Sequence, residues 1–297
     1  MELIRLNERV LYLHGAVNCG LVESETGLLA IDSGLDRGAA NKILRAAEEL
    51  GRPLVAVINT HAHADHHGGN AQLVRRVGPP VYAPVVEEAV IREPRYEPFY
   101  LFGGAAPVSA LANRFLQAEP SPVDHVVAPG TQVTIDGVEL EVLDLAGHSI
   151  AQVGYRVASV LFAADSFFGL EPLAKHVVPY LVDAGEMRRK LEWLREVEAE
   201  WFIPGHGEAL RDPGQALQAN LDALERSFDW LRKRLRREPA STEDLLADLT
   251  AEFGLRTADP SGYVLNRGML LGFLSTLERA GEVAVVVEAG RWRWEVG

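Results

Sequence analysis

Cysteine is scarce in this sequence. Cys19 is the only cysteine among 297 residues, so no internal disulfide can form. The hydrophobic core must therefore supply the stability, and a chain of this length can bury a large core. Hydrophobic residues make up 47% of the chain and charged residues 24%, which is typical of a soluble globular protein. Cys19 lies in an apolar stretch and is expected in the core.

Long apolar runs and an excess of basic residues are also missing. The longest apolar runs have the length of a strand, far below that of a membrane span. The stretch from Met1 to Leu6 has no basic flank before an apolar segment, so we expect no secretory signal. The net charge of −13 disfavours nonspecific binding to nucleic acid or to an anionic membrane. We therefore expect a cytoplasmic protein without a membrane partner.

Histidines, in contrast, are concentrated in one stretch. Four imidazoles and one carboxylate lie within seven residues: His61, His63, Asp65, His66 and His67. Such clusters are rare unless the imidazoles share a charge. The apolar run Leu54–Ile58 directly upstream predicts a buried strand. The histidines thus follow the carboxyl end of a strand, where open α/β sheets tend to place ligands, and the stretch predicts a metal site.

Three further polar residues follow predicted strands downstream. They are His148, Asp165 and His206, which come after the apolar segments 138–145, 160–164 and 201–203. Both histidines have a glycine directly before them, which allows the backbone to approach a crowded centre. Imidazole and carboxylate suit zinc, and also iron or manganese. With His61, His63, Asp65 and His66 the set has seven members, the number expected for two divalent ions with a bridging carboxylate.

The ordered pattern His-x-His-x-Asp-His, then His, Asp and His, resembles that of the metallo-β-lactamase superfamily. The resemblance covers about residues 1–210 and implies a four-layer αβ/βα sandwich. It assigns the first ion to His61, His63 and His148, and the second to Asp65, His66 and His206. Asp165 would bridge the two ions. One departure is that Ser149-Ile150-Ala151 follows His148, where many relatives have Thr/Ser-x-Gly, and this is expected to reshape the floor of the pocket.

The resemblance also implies a reaction. A hydroxide that bridges two ions would attack an ester, a thioester or a similar bond, while Asp65 would orient it and pass on its proton. Asp32 would hold a ligand imidazole, although an acidic turn residue after a strand is an equal alternative. His67 is expected beside the ligands or in solvent. His14, His125 and His176 are expected to be ordinary surface or core histidines.

The remaining pattern indicates two units. Residues 1–210 alternate strands with helices, which favours a layered α/β sandwich. Residues 211–297 are mainly helical, with helices predicted at 216–235, from about 242 to 253 and at 266–279. A predicted hairpin at 283–296 completes a winged-helix-like outline. The proline- and aromatic-rich segment 93–122 is expected to be either a lid over the site or a satellite packing patch.

Several substrates remain open. The histidine stretch resembles that of glyoxalase II, a thioesterase, and the helical tail resembles that of the β-lactamase-like protein 2 group, which includes an endoribonuclease. Residues 240–297 contain nine acidic and five basic residues. This tail is a poor match for nucleic acid. We expect a small-molecule hydrolase, with a phosphodiesterase or endoribonuclease as the alternative and a metal-free binding protein as a third, and homo-oligomerisation stays open.

Overall fold

The computed structural model describes residues 1–297 and contains two large β-sheets. The first sheet has seven strands in chain order: β1 (Glu2–Arg5), β2 (Val10–His14), β3 (Cys19–Glu23), β4 (Leu28–Ile31), β5 (Leu54–Ile58), β6 (Val81–Pro84) and β7 (His125–Val127). The second has five, in the spatial order β12 (Trp201–Pro204), β11 (Val160–Ala164), β10 (Val153–Val157), β9 (Val138–Asp144) and β8 (Gln132–Ile135). Strands β4 to β7 are parallel, as are β11 and β12.

Ten α-helices and a hairpin complete the fold. The helices are α1 (Arg37–Glu49), α2 (Ala64–His67), α3 (Asn70–Val77), α4 (Glu87–Arg92), α5 (Tyr96–Leu101), α6 (Leu170–His176), α7 (Ala184–Leu194), α8 (Gly214–Leu235), α9 (Thr242–Phe253) and α10 (Pro260–Arg279). The hairpin consists of β13 (Val283–Glu288) and β14 (Arg291–Val296). None of the helices combines the length and the apolar character that a bilayer span requires.

The two sheets pack face to face, with helices on both outer sides. A cluster of 18 buried residues fills the space between the sheets, and Tyr155 lies within it. Because side chains alternate along a strand, Val57 of β5 faces outward and packs in the same cluster as Ile43 of α1. On the other side, Leu161 of β11 lies in the same buried cluster as Leu191 of α7. This is the predicted four-layer αβ/βα sandwich.

The C-terminal helices share a core with the second sheet. One cluster of 31 buried residues extends from Leu143 to Trp294 and includes side chains of α7, α8 and α10. Within it, the rings of Phe228 and Phe273 meet edge to face with centroids 4.9 Å apart. The helices and hairpin follow in the predicted order, and the division into 1–210 and 211–297 stays a prediction.

One local feature differs from the sequence expectations, and the structure adds detail to another. Helix α10 begins at Pro260 instead of residue 266, because Asp259 caps it: the Asp259 side chain accepts a hydrogen bond from Gly262 N at 3.0 Å. Segment 93–122 contains α5 and a short 3-10 turn, and its Leu101 and Leu111 pack in one small cluster with Val264 of α10. Whether the segment acts as a lid stays a prediction.

We expect Phe273→Ala to lower the free energy of unfolding by about 3–5 kcal/mol, because it leaves a cavity in the largest core cluster. Denaturant titration measures this loss. The control Val287→Ala lies at a 67% exposed position and should change stability by less than about 0.5 kcal/mol. An equal effect of both substitutions would contradict a core shared by the second sheet and the C-terminal helices.

Candidate metal centre

The structure brings all seven predicted residues together at one edge of the sandwich. His61 and His63 follow β5, and Asp65 and His66 lie in α2. His148, Asp165 and His206 come from loops after β9, β11 and β12 of the other sheet. The ligand atoms form three groups, each within 4.8 Å: His61 with His63 and His148; His61 with His66 and Asp165; Asp65 with His66 and His206. The first and third groups match the two predicted sets, and Asp165 lies in the group between them.

Asp165 is the central carboxylate of this site and is 3% exposed. Its Oδ1 lies 3.4 Å from His66 Nε2, and its Oδ2 lies 3.3 Å from both His148 Nε2 and His206 Nε2. Burial alone would raise the pKa of Asp165, but the three imidazoles lower it well below its usual range. Burial alone would lower the pKa of His206, yet the Asp165 carboxylate raises it to about 10. Positive charge is thus strongly favoured around Asp165.

Four of the histidines are anchored through Nδ1. His66 Nδ1 donates to Asp32 Oδ2 at 2.8 Å, and His61 Nδ1 lies 3.0 Å from Thr60 Oγ1, whose own proton goes to Asp32. His148 Nδ1 donates to Tyr180 O at 2.8 Å, and His206 Nδ1 donates to Ala16 O at 2.6 Å. When Nδ1 carries the proton of a neutral ring, the lone pair is on Nε2. Each of these four rings therefore presents Nε2 to the centre.

Several of the inward-facing atoms have no hydrogen-bond partner in the protein. His61 Nε2, His66 Nε2 and Asp165 Oδ1 are buried and make no hydrogen bond. His63 Nδ1 and His148 Nε2 face each other at 2.8 Å. Burial is the main cause that lowers the pKa of His63, to about 3, and the neighbouring His148 is the second. Buried polar atoms are nearly always paired, so this cluster requires an added group. Lone pairs of nitrogen and oxygen converging on one place fit divalent cations.

Glycine is required next to this centre. A Cβ on Gly205 would lie 1.9 Å from Asp165 Oδ1, closer than any side chain allows. Gly147, before His148, has a φ of +130° and lies against the backbone of Met187. Both glycines therefore permit the close approach that the sequence predicted.

Asp32 connects two of the ligand histidines to the backbone. It is buried, has a left-handed φ of +60°, and accepts hydrogen bonds from Thr60 N at 2.8 Å and Thr60 Oγ1 at 2.7 Å as well as from His66. The contact with His66 is the one that the resemblance implied for Asp32. Thr60 was not singled out in the sequence, because a threonine beside a histidine carries no distinct signal.

Glu87 is a second buried carboxylate that the sequence analysis missed. Its Oε2 accepts from Ala62 N at 3.0 Å, between His61 and His63. Its Oε1 accepts from Ser149 Oγ at 2.7 Å and from Ala151 N at 2.8 Å, directly after His148. Glu87 therefore ties together two ligand-bearing loops that are 86 residues apart in the chain (from 62 to 148). The same rule that found Asp165, an acidic residue shortly after a strand, would have indicated it.

The other histidines lie in varied surroundings. His67 is buried with both ring nitrogens unpartnered, and burial lowers its pKa to about 4, so it is not in solvent. His14 bonds to Asn18, and His125 stacks on Tyr82. His176 is exposed on α6, in a cleft that His206 also lines.

Comparison with known proteins agrees with this geometry. A family model described as the metallo-beta-lactamase superfamily matches residues 13–206, more than half of the chain. The chain belongs to the metallo-beta-lactamase superfamily. It is therefore a metal-dependent hydrolase.

The matches to similar proteins cover most of the chain. A hydroxyacylglutathione hydrolase of Rhodospirillum rubrum is 28% identical, over 79% of this chain and 85% of its own. One of Xanthomonas euvesicatoria is 26% identical, over 88% of this chain and 89% of its own. The crystal structure of a beta-lactamase domain protein from Burkholderia ambifaria covers all of this chain and 95% of its own, with a TM-score of 0.77 and 16% identity. That likeness shows that the fold is shared over the whole length, including the C-terminal helices.

We expect Asp32→Asn to weaken metal binding by about 10–100-fold, because an amide cannot accept all three hydrogen bonds that orient Thr60 and His66. Competition with a chromophoric chelator measures the affinity. Asp222→Asn, the same change on the exposed side of α8, is the control and should bind metal like the wild type. Equal affinities of all three proteins would show that Asp32 does not orient a ligand.

We expect Glu87→Ala to destabilise the fold by about 2–4 kcal/mol, because three buried or partly buried donors lose their only acceptor. Glu87→Gln keeps the volume and one acceptor oxygen, so its loss should be smaller. Chemical denaturation of both variants tests the order. A glutamine variant as unstable as the alanine variant would contradict the role of the hydrogen bonds.

Proposed function

We propose that the protein is a dinuclear metal-dependent hydrolase of small-molecule thioesters or esters. Seven donors in three overlapping groups, with unpartnered inward-facing atoms, support two ions more than one. His61, His63 and His148 would hold one ion; Asp65, His66 and His206 would hold the other; Asp165 would bridge them. Zinc is the expected metal, with iron or manganese as alternatives, because the donors are nitrogen and oxygen.

Bound divalent ions would lower the pKa of water toward neutrality and polarise a carbonyl oxygen of the substrate. Asp65 is the residue we propose for proton transfer. Its side chain is 34% exposed, against 4% for that of Asp165, so it is the more accessible of the two carboxylates. Burial would raise its pKa, but His66 and His206 lower it below the usual range, so Asp65 carries a negative charge.

Charge favours a small substrate over RNA. Helix α8 ends in a run of basic residues that could in principle contact phosphates. Two of them already form ion pairs, Arg232 with Glu282 and Arg234 with Asp248, each at 2.6 Å. These pairs leave less free positive charge for phosphates. The relatives described as hydroxyacylglutathione hydrolases support a thioester as the scissile bond. A phosphodiesterase or endoribonuclease is the alternative that the assay must exclude, and the cytoplasm remains the expected location.

Purified protein loaded with zinc should be assayed in parallel on S-lactoylglutathione, a homoserine lactone, bis-p-nitrophenyl phosphate and single-stranded RNA. We expect the thioester to be hydrolysed fastest. Removal of zinc with a chelator should abolish the activity, and added zinc should restore it. Asp65→Asn should reduce kcat by about 100-fold or more.

Two results would contradict the proposal. Full activity after the metal has been removed would exclude metal-dependent hydrolysis, and selective cleavage of RNA would favour the endoribonuclease. Hydrolysis of the lactone alone would move the substrate class from thioesters to cyclic esters. Elemental analysis of the same sample gives the number of ions per chain, for which the expected value is two.

A further inference from the structure

His63 differs from the other four histidines of the cluster in how its ring is held. The others are anchored from outside through Nδ1, whereas His63 turns its Nδ1 inward, 2.8 Å from His148 Nε2. This contact is the only hydrogen-bond contact of the His63 ring. The position of the ring therefore depends on the packing around it and on the backbone of its loop.

Glu87 holds that backbone. Its Oε2 accepts a hydrogen bond at 3.0 Å from the backbone N of Ala62, the residue directly before His63. Glu87 and Ala62 are each 3% exposed, so water does not easily replace this acceptor. Glu87 thus supports His63 through the main chain, as other acceptors support the remaining rings directly.

The other oxygen of the same carboxyl group holds the loop of His148. Glu87 Oε1 accepts from Ser149 Oγ at 2.7 Å and from Ala151 N at 2.8 Å. These are residues of the short segment in which the sequence departs from the Thr/Ser-x-Gly pattern of many relatives. The departure therefore lies at the contact with Glu87, and one side chain fixes the distance between two loops.

The ligands proposed for the second ion are held by other contacts. His66 Nδ1 donates to Asp32 Oδ2 at 2.8 Å, and His206 Nδ1 donates to Ala16 O at 2.6 Å. Glu87 makes no hydrogen bond to α2 or to the loop of His206. The two groups of ligands thus have separate outer supports.

We propose that Glu87 is a positioning residue that sets the affinity for one of the two ions, the one assigned to His61, His63 and His148. These three ligands lie on the two loops that Glu87 connects. Without the shared acceptor the loops are free to separate, and ion binding would have to order them again. This role presupposes the two ions of the proposed function, but it does not depend on the substrate.

Zinc binding to metal-free Glu87→Gln tests this role. Glutamine keeps the size of the side chain but has one acceptor oxygen in place of two, so one of the loops loses its acceptor. Titration calorimetry with a competing chelator should show two ions for the wild type. In the variant, the affinity for one ion should fall by about 10–100-fold, while that for the other stays within about threefold.

Anomalous diffraction from crystals with limiting zinc identifies the weakened site. In Glu87→Gln the peak among His61, His63 and His148 should be lost first, while the peak at the second group remains. Neither measurement requires a substrate, so both are independent of catalysis.

Two further variants support the comparison. Glu88→Gln is the matched control, because it makes the same change at the next residue, whose Oε2 has no hydrogen-bond partner, and it should bind both ions like the wild type. Ser149→Ala removes one of the three hydrogen bonds and leaves Glu87 in place. It should weaken the same ion as Glu87→Gln does, by about three- to tenfold.

An equal weakening of both ions in Glu87→Gln would overturn this role, since a general loss of structure acts on both. Unchanged affinities, or a loss confined to the second ion, would overturn it as well. If Glu87→Gln does not fold, the same criteria apply to Ser149→Ala. A wild type that binds fewer than two ions would contradict the dinuclear centre too, whereas a two-ion wild type whose variants lose neither ion would contradict the role of Glu87 alone.

Discussion

One buried carboxylate, Asp165, faces three imidazoles that come from loops of both sheets, and much of the fold is arranged around this contact. Burying a carboxylate is strongly unfavourable unless positive charge compensates it. The sandwich meets this requirement by placing the carboxyl ends of β5, β9, β11 and β12 at the same edge. Gly205 then allows the backbone to pass within reach of Asp165, where no other residue fits.

The imidazoles are held from outside the centre. Hydrogen bonds from Nδ1 to Asp32, Tyr180 O and Ala16 O fix the rings, so that their Nε2 atoms point inward before any ion binds. Glu87 fixes the ligands further, because its hydrogen bonds connect the loop of His61 and His63 to the loop of His148. Because the ligands are already ordered, ion binding loses less conformational entropy than it would with mobile ligands. The metal site is therefore a property of the whole sandwich and not of the histidine stretch alone.

The sequence predicted most of this arrangement, because strand periodicity and ligand chemistry are local signals. The seven clustered residues and the four-layer sandwich are examples. Tyr180 was missed, since its role depends on a contact with a residue far away in the chain, whereas Glu87 was overlooked although it follows β6 as Asp165 follows β11. The start of α10 was missed because Asp259 and Pro260 were not recognised as a cap and first turn.

The central claim is that these seven residues hold two divalent ions. Anomalous diffraction from crystals of the zinc-loaded protein, recorded on both sides of the zinc absorption edge, tests it most directly. The account predicts two zinc peaks, one among His61, His63 and His148 and one among Asp65, His66 and His206, with Asp165 next to both. A single peak would contradict the dinuclear centre, and no peak within this cluster would contradict the metal site itself.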